Sequence, residues 1–67
     1  MEILVNGKPV STSAHTIAEL LLELGLSQEL QGIAIALNEE IVRKTEFNRM
    51  QIQAGDQIEI IHARQGG

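Results

Sequence analysis

The sequence predicts a single α+β domain in which one helix packs on one face of a sheet. Three observations predict it. Residues 1–10 alternate with period two around Asn6-Gly7, and residues 17–24 carry apolar side chains at helical spacing. Short apolar runs at 33–37 and 57–62 then read as strands. The resulting order is strand, strand, helix, strand, short strand, strand, a mixed order that sets the helix on one sheet face.

The first element is a hairpin over Met1–Val10. Met1, Ile3 and Val5 alternate with Glu2 and Leu4, and Asn6-Gly7 supplies two residues that tolerate positive φ in a tight turn. Pro9 cannot donate to a ladder, so the second strand is expected to be short or to lie at an edge. Ser11–His15 is a polar connection. The helix, placed at 17–24, has the clearest signals. Thr16 can cap it, Glu19 stands three residues later as in a capping box, and Ile17, Leu20, Leu21 and Leu24 form one stripe. Gly25 can end it in the left-handed conformation, with Leu26 folding back on Leu21.

Ser27–Gly32 reads as a polar loop and Ile33–Leu37 as a buried strand. Asn38-Glu39-Glu40 turns into a short partner at Ile41–Arg43. Thr45 is expected to cap a single helical turn that drops Phe47 into the core. Ala54-Gly55-Asp56 is a turn, and Gln57–His62 is the last strand, with Ile58 and Ile60 on one face and Glu59 and Ile61 on the other. The expected core is Ile3, Val5, Ile17, Leu20, Leu21, Leu24, Ile33, Ile35, Leu37, Phe47, Ile58 and Ile60. Strand order does not follow from these patterns.

Bulk properties narrow the function. A chain of 67 residues makes one domain, 1–67, with a thin stability margin. It has no cysteine, hence no disulfide, thiolate zinc site or cysteine nucleophile. The core is therefore the fold's support, and it is aliphatic, with Phe47 the one aromatic residue. A formal charge of −4 and unclustered basic residues argue against nucleic acid. The start, Met1-Glu2-Ile3, lacks signal-peptide character, and no run approaches the roughly 20 apolar residues of a membrane span. A cytoplasmic location is expected.

Most candidate sites dissolve on inspection. His15 and His62 have no third ligand nearby, so no metal site is expected. Glu39-Glu40 reads as a solvated hairpin tip. Ser11, Thr12 and Ser13 lack a nucleophile-elbow context, and the glycines do not space as a nucleotide-binding loop. Opposite the helix, Leu4, Ala34, Ala36 and Ile61 share a sheet face by parity. They read equally as scattered exposed aliphatics or as a partner-docking patch.

The sequence closes on Ala63-Arg64-Gln65-Gly66-Gly67, directly after the last strand. Residues 63–67 are expected to form a flexible tail. Extended, they reach roughly 17 Å, enough to thread a narrow channel. Glycines let backbone approach a partner's active site without a Cβ clash. An α-carboxyl is ionised at neutral pH. Such a carboxylate can attack the α-phosphate of ATP to give an acyl-adenylate, which sulfur or nitrogen nucleophiles can open. In this reading Gln65, Gly66 and Gly67 enter a partner, and the partner brings ATP, Mg²⁺ and the activated nucleophile. A frayed end is the plain alternative.

Four segments carry a family resemblance. They are Met1-Glu2-Ile3-Leu4-Val5-Asn6-Gly7, Ala36-Leu37-Asn38-Glu39-Glu40-Ile41-Val42, Ala54-Gly55-Asp56-Gln57-Ile58-Glu59-Ile60 and Gly66-Gly67. Together they resemble the ThiS family, the sulfur carriers of thiamine biosynthesis, along the whole chain. The resemblance implies a ubiquitin-like β-grasp fold, one helix on a mixed four- to five-strand sheet. It implies that a ubiquitin-activating-like adenylyltransferase adenylates Gly67 and that a persulfide sulfur donor converts it to a thiocarboxylate. That group then gives sulfur to thiazole synthase. Gly67 would hold the sulfur and Gly66 would give clearance. The chain would be a carrier and protein substrate rather than an enzyme, with no cofactor of its own. Three other readings remain open: the small subunit of molybdopterin synthase, a ubiquitin-like protein modifier, and a plain interaction module whose glycine tail is incidental.

Overall fold

A computed structural model describes residues 1–26 and 32–62. The first ten residues form the expected hairpin, β1 (Glu2–Val5) and β2 (Lys8–Ser11). Asn6 and Gly7 have φ of 53° and 83°. Positive φ at both central residues is the turn whose twist matches the flanking strands. The pairing runs from Glu2↔Ser11 to Val5↔Lys8. β2 lies at a sheet edge, where Pro9 leaves no ladder bond unmade on its outer side.

Helix α1 spans Ile17–Glu23. The Thr16 hydroxyl accepts from the Glu19 N–H at 3.2 Å. The Glu19 carboxylate reaches back to the His15 N–H at 2.7 Å, one residue further out than a capping box requires. The Ile17 and Ala18 N–H groups donate to the Met50 and Phe47 carbonyls at 3.0 and 2.9 Å. The loop after β4 thus satisfies helix donors that would otherwise stand unpaired. At the other end Gly25 takes φ 76°. The Leu26 N–H bonds the Leu21 carbonyl at 2.8 Å, and the Gly25 N–H bonds that of Leu22 at 3.0 Å. These are the two bonds of a Schellman close.

One core expectation fails at this close. Leu24 is the helix C-cap and is exposed, not buried. The left-handed step at Gly25 swings the chain back, and Leu26 packs against the core. A second expectation also needs correction. Thr45 does not cap the short turn; it lies inside a 3₁₀ turn at Lys44–Glu46, which Arg43 opens without a side-chain cap. The turn still delivers Phe47 to the core, 3% exposed.

The sheet is completed by β3 (Ile33–Leu37), β4 (Glu40–Val42) and β5 (Gln57–His62). β4 begins and ends one residue earlier than the sequence suggests. The order is β2-β1-β5-β3-β4. β5 runs parallel to β1 and antiparallel to β3, and β3 and β4 form a second hairpin. This mixed five-strand sheet with one helix is the ubiquitin-like β-grasp arrangement.

The best-buried side chains are Ile3, Ile17, Leu20, Leu21, Ile35 and Ile58, all from α1 and the three central strands. Val5 and Leu37 are half-buried at its margin. Ile52, Val42, Ala14 and Thr12 are buried beyond the expected set. Ile52 is held by an irregular bridge, its N–H on the His15 carbonyl at 2.9 Å, which no periodicity announces. Thr12 is buried but fully occupied: its hydroxyl oxygen accepts from the Ala14 N–H at 3.0 Å and it donates to Glu23.

Candidate functional site

The expected site residues fall on two features of the sheet: the strand that leads to residues 63–67, and the face that α1 leaves uncovered. β5 is the central strand, between β1 and β3. Its pairing with β3 runs from Leu37↔Ile58 to Ile33↔His62, so it is held on that side to its last residue. The expected site residues Gln65, Gly66 and Gly67 lie outside the described residues.

On the β1 side the backbone register stops at Val5↔Ile58. Beyond it, the Asn6 side chain takes over. Its Oδ1 accepts from the Ile60 N–H at 2.8 Å, and its Nδ2 donates to the Ile60 carbonyl at 3.4 Å. Asn6's own N–H bonds the Ile58 carbonyl at 2.8 Å. Asn38, the matching residue of the second hairpin turn, holds the start of β5. It accepts from the Gln57 N–H at 2.9 Å and donates to Asp56 at 3.2 Å. Both asparagines were legible only as turn residues, because their β5 partners are distant in sequence.

The uncovered face brings together three of the four residues expected there. Ala34 stands opposite Ile61, and Ala36 stands between Glu59 and Ile41. Ala36 is nonetheless only 5% exposed, because its single methyl sits between two longer side chains. Leu4 lies opposite Gln57, four residues along β5 from Ile61 and so roughly 13 Å away. It lines a separate cleft of about 300 Å³ together with Gly7, Glu39, Gln57, Ile58 and Glu59.

Ile41 belongs to this face and escaped sequence reasoning. It is 70% exposed, the most of any large apolar side chain among the described residues. A three-residue strand is too short for parity to show which way it points. Glu39 adds a carboxylate beside the cleft, and its φ of 74° is the left-handed region that glycine or asparagine usually fills.

His15 and His62 are exposed. Among the described residues no three His, Cys, Asp or Glu side chains gather as a metal site. None of the described helices is long and apolar enough to cross a membrane. Glu23 is held below the usual carboxylate range, first by the Thr12 hydroxyl and then by that of Ser13. These bonds tie the end of α1 to the loop before it, away from the open face.

Comparison with known proteins adds to this geometry. Residues 3–67 match the ThiS family. The sulfur carrier protein ThiS of Thermus thermophilus is 36% identical over 63 residues, covering 94% of this chain and 95% of that one. The sulfur carrier protein ThiS of Escherichia coli K12 is 35% identical, with both chains covered in full. A thiazole synthase of Magnetococcus marinus is 34% identical across the whole of this chain, which spans 20% of that protein. The crystal structure of a thiamine biosynthesis protein (ThiS) from Geobacter metallireducens superposes with a TM-score of 0.84 at 28% identity, covering both chains in full. The hairpin, the central parallel pair and the run through Gly66-Gly67 thus all fall within a match of nearly the whole sequence, and the chain belongs to the ThiS family.

Proposed function

We propose that this chain carries sulfur on Gly67 for thiazole formation in thiamine biosynthesis. The observation that bears most weight is the family match, which runs to Gly67 and so includes the two glycines. The fold supports it by placing β5 at the sheet centre, so that residues 63–67 follow a strand paired on both sides.

The chemistry is that of a carboxylate made electrophilic. The Gly67 carboxylate attacks the α-phosphate of ATP on a ubiquitin-activating-like adenylyltransferase, and pyrophosphate leaves. Mg²⁺ and ATP belong to that partner. A persulfide donor's terminal sulfur then attacks the acyl carbon and AMP departs. Reduction of the S–S bond by a second thiol frees the thiocarboxylate, and thiazole synthase takes the sulfur. The chain acts throughout as a protein substrate. The glycines admit the backbone to sites where a Cβ would collide.

Docking is assigned to the uncovered face, with Ile61, Ala34, Ala36 and Ile41 as its apolar centre and Leu4 at the neighbouring cleft. A partner contacts this face while the tail reaches its active site. That a thiazole synthase contains a segment similar to the whole of this chain supports that enzyme as the acceptor. The work is placed in the cytoplasm. Thiamine is preferred over molybdopterin because a thiazole synthase and a thiamine biosynthesis protein are among the relatives named above.

A strain lacking its own thiamine sulfur carrier tests this. The chain should restore thiamine-independent growth, and a variant with one residue added after Gly67 should not, although it folds. Growth supported equally by the extended variant would refute a role for the Gly67 carboxylate.

A further inference from the structure

We propose that Asn6 is a positioning residue, whose side-chain amide fixes the end of β5, Ile60–His62, for presentation to the adenylating partner. The proposal rests on the sulfur-carrier reading for its kinetic part and on geometry alone for the rest.

β5 needs partners on two sides. On the β3 side it has them through His62. On the β1 side the backbone ladder ends at Ile58, because β1 turns away at Asn6-Gly7. Ile60 is 7% exposed, and a buried N–H left without an acceptor is costly. The Asn6 amide fills the gap by presenting an acceptor and a donor to the same peptide positions that a continuing β1 would have used. The φ of 53° at Asn6 bends the main chain into the turn, while the side chain stays within reach of Ile60.

The consequence reaches the tail. Among the hydrogen bonds of the described residues, this clamp is the last on the β1 side before residue 63. Without it, Ile60 to His62 are held by β3 alone and can hinge about that edge. A hinge there moves His62, the last residue of β5 before residue 63. The partner requires the Gly67 carboxylate in line with a phosphorus atom, so small misplacement costs rate rather than binding.

Asn38 supplies an internal control. It makes the same kind of clamp on Gln57, at the opposite end of the same strand. Asn6→Gly and Asn38→Gly both keep the positive φ and both lose an amide clamp. Only the first holds the end of β5 that continues to residue 63.

The test measures adenylation by the family's activating enzyme, using ATP and each variant, together with amide hydrogen exchange of the carrier alone. Asn6→Gly should lower kcat about ten-fold with KM within about two-fold, the signature of an interaction made in the transition state. Asn38→Gly should leave both within about two-fold. Asn6→Asp keeps the acceptor for the Ile60 N–H and should hold kcat within about three-fold of the parent. Exchange of the Ile60 amide should quicken about ten-fold in Asn6→Gly.

An unchanged Ile60 exchange rate in Asn6→Gly would overturn the clamp itself. Unchanged kcat in that variant, an equal loss in Asn38→Gly, or a ten-fold loss in Asn6→Asp would each overturn the positioning role. The parent chain separates the two ideas. If the parent is not adenylated by an enzyme active on a known carrier, the sulfur-carrier reading falls and takes the positioning role with it. If the parent is adenylated, the variants judge Asn6 alone.

Discussion

Trimming Ile58 should cost more stability than trimming Ile61, three residues further along the same strand. Ile58 is 1% exposed and sits between Val5 on β1 and Leu37 on β3, beneath α1. Ile61 is 49% exposed on the opposite face. Removing one methylene from a closed site, Ile58→Val, costs about 0.5–1.5 kcal/mol, and Ile58→Ala costs about 2–5 kcal/mol. A 67-residue domain holds on the order of 3–10 kcal/mol in total. The valine variant should therefore stay folded with a melting temperature lowered by roughly 2–12 °C. The alanine variant should be marginal, and Ile58→Asp, which buries an unpaired charge, should not fold. Ile61→Ala should stay within about 0.5 kcal/mol of the parent. Urea denaturation with linear extrapolation reads all four, and an unchanged slope certifies that stability rather than the unfolded state has moved. Equal losses from Ile58→Ala and Ile61→Ala, or a native-like transition in Ile58→Asp, would refute the facing of β5.

Three further outcomes are expected. Glu39→Gly should raise the melting temperature by roughly 4–8 °C, because about 1 kcal/mol of left-handed strain at φ 74° is released; no rise would show that the turn relaxes around the glutamate. The carboxyl of Glu23 is depressed in the folded state, so the stability it contributes is present above the unfolded-chain value of about 4.3 and is lost as pH falls through the folded value. Parent stability should then fall more steeply between about pH 5 and 3 than that of Glu23→Gln, and parallel urea midpoints across that range would contradict the Thr12 and Ser13 bonds. Ile41→Asp, on the uncovered face, should leave the denaturation curve unchanged but raise KM for the adenylating partner about ten-fold; an unchanged KM would remove Ile41 from the docking surface.

Local signals in the sequence were reliable where chemistry is local. Asn6-Gly7 needs only its own φ values to make a turn, and Thr16, Glu19 and Gly25 mark a helix by bonds within a few residues. The alternation at Ile58 and Ile60 gave their facing for the same reason. Leu24 was misjudged because periodicity does not say at which residue a helix closes. Ile52 was missed because an irregular bridge has no period. The neighbourhood of β1 and β5 joins residues more than fifty apart, so the Asn6 clamp on Ile60 had no local trace. Ile41 shows the limit from the other side: on a strand of three residues, alternation is too brief to read. Of the expected docking set, Ala34, Ala36 and Ile61 do meet, while Leu4 serves a neighbouring cleft.

The central claim is that Gly67 carries the sulfur. The chain should be incubated with ATP, Mg²⁺, the activating enzyme and a persulfide donor, and its intact mass recorded. The expected result is a mass change equal to replacement of one oxygen by sulfur, mapped by fragmentation to Gly67. No change, with the same enzymes active on a known carrier, would contradict the account.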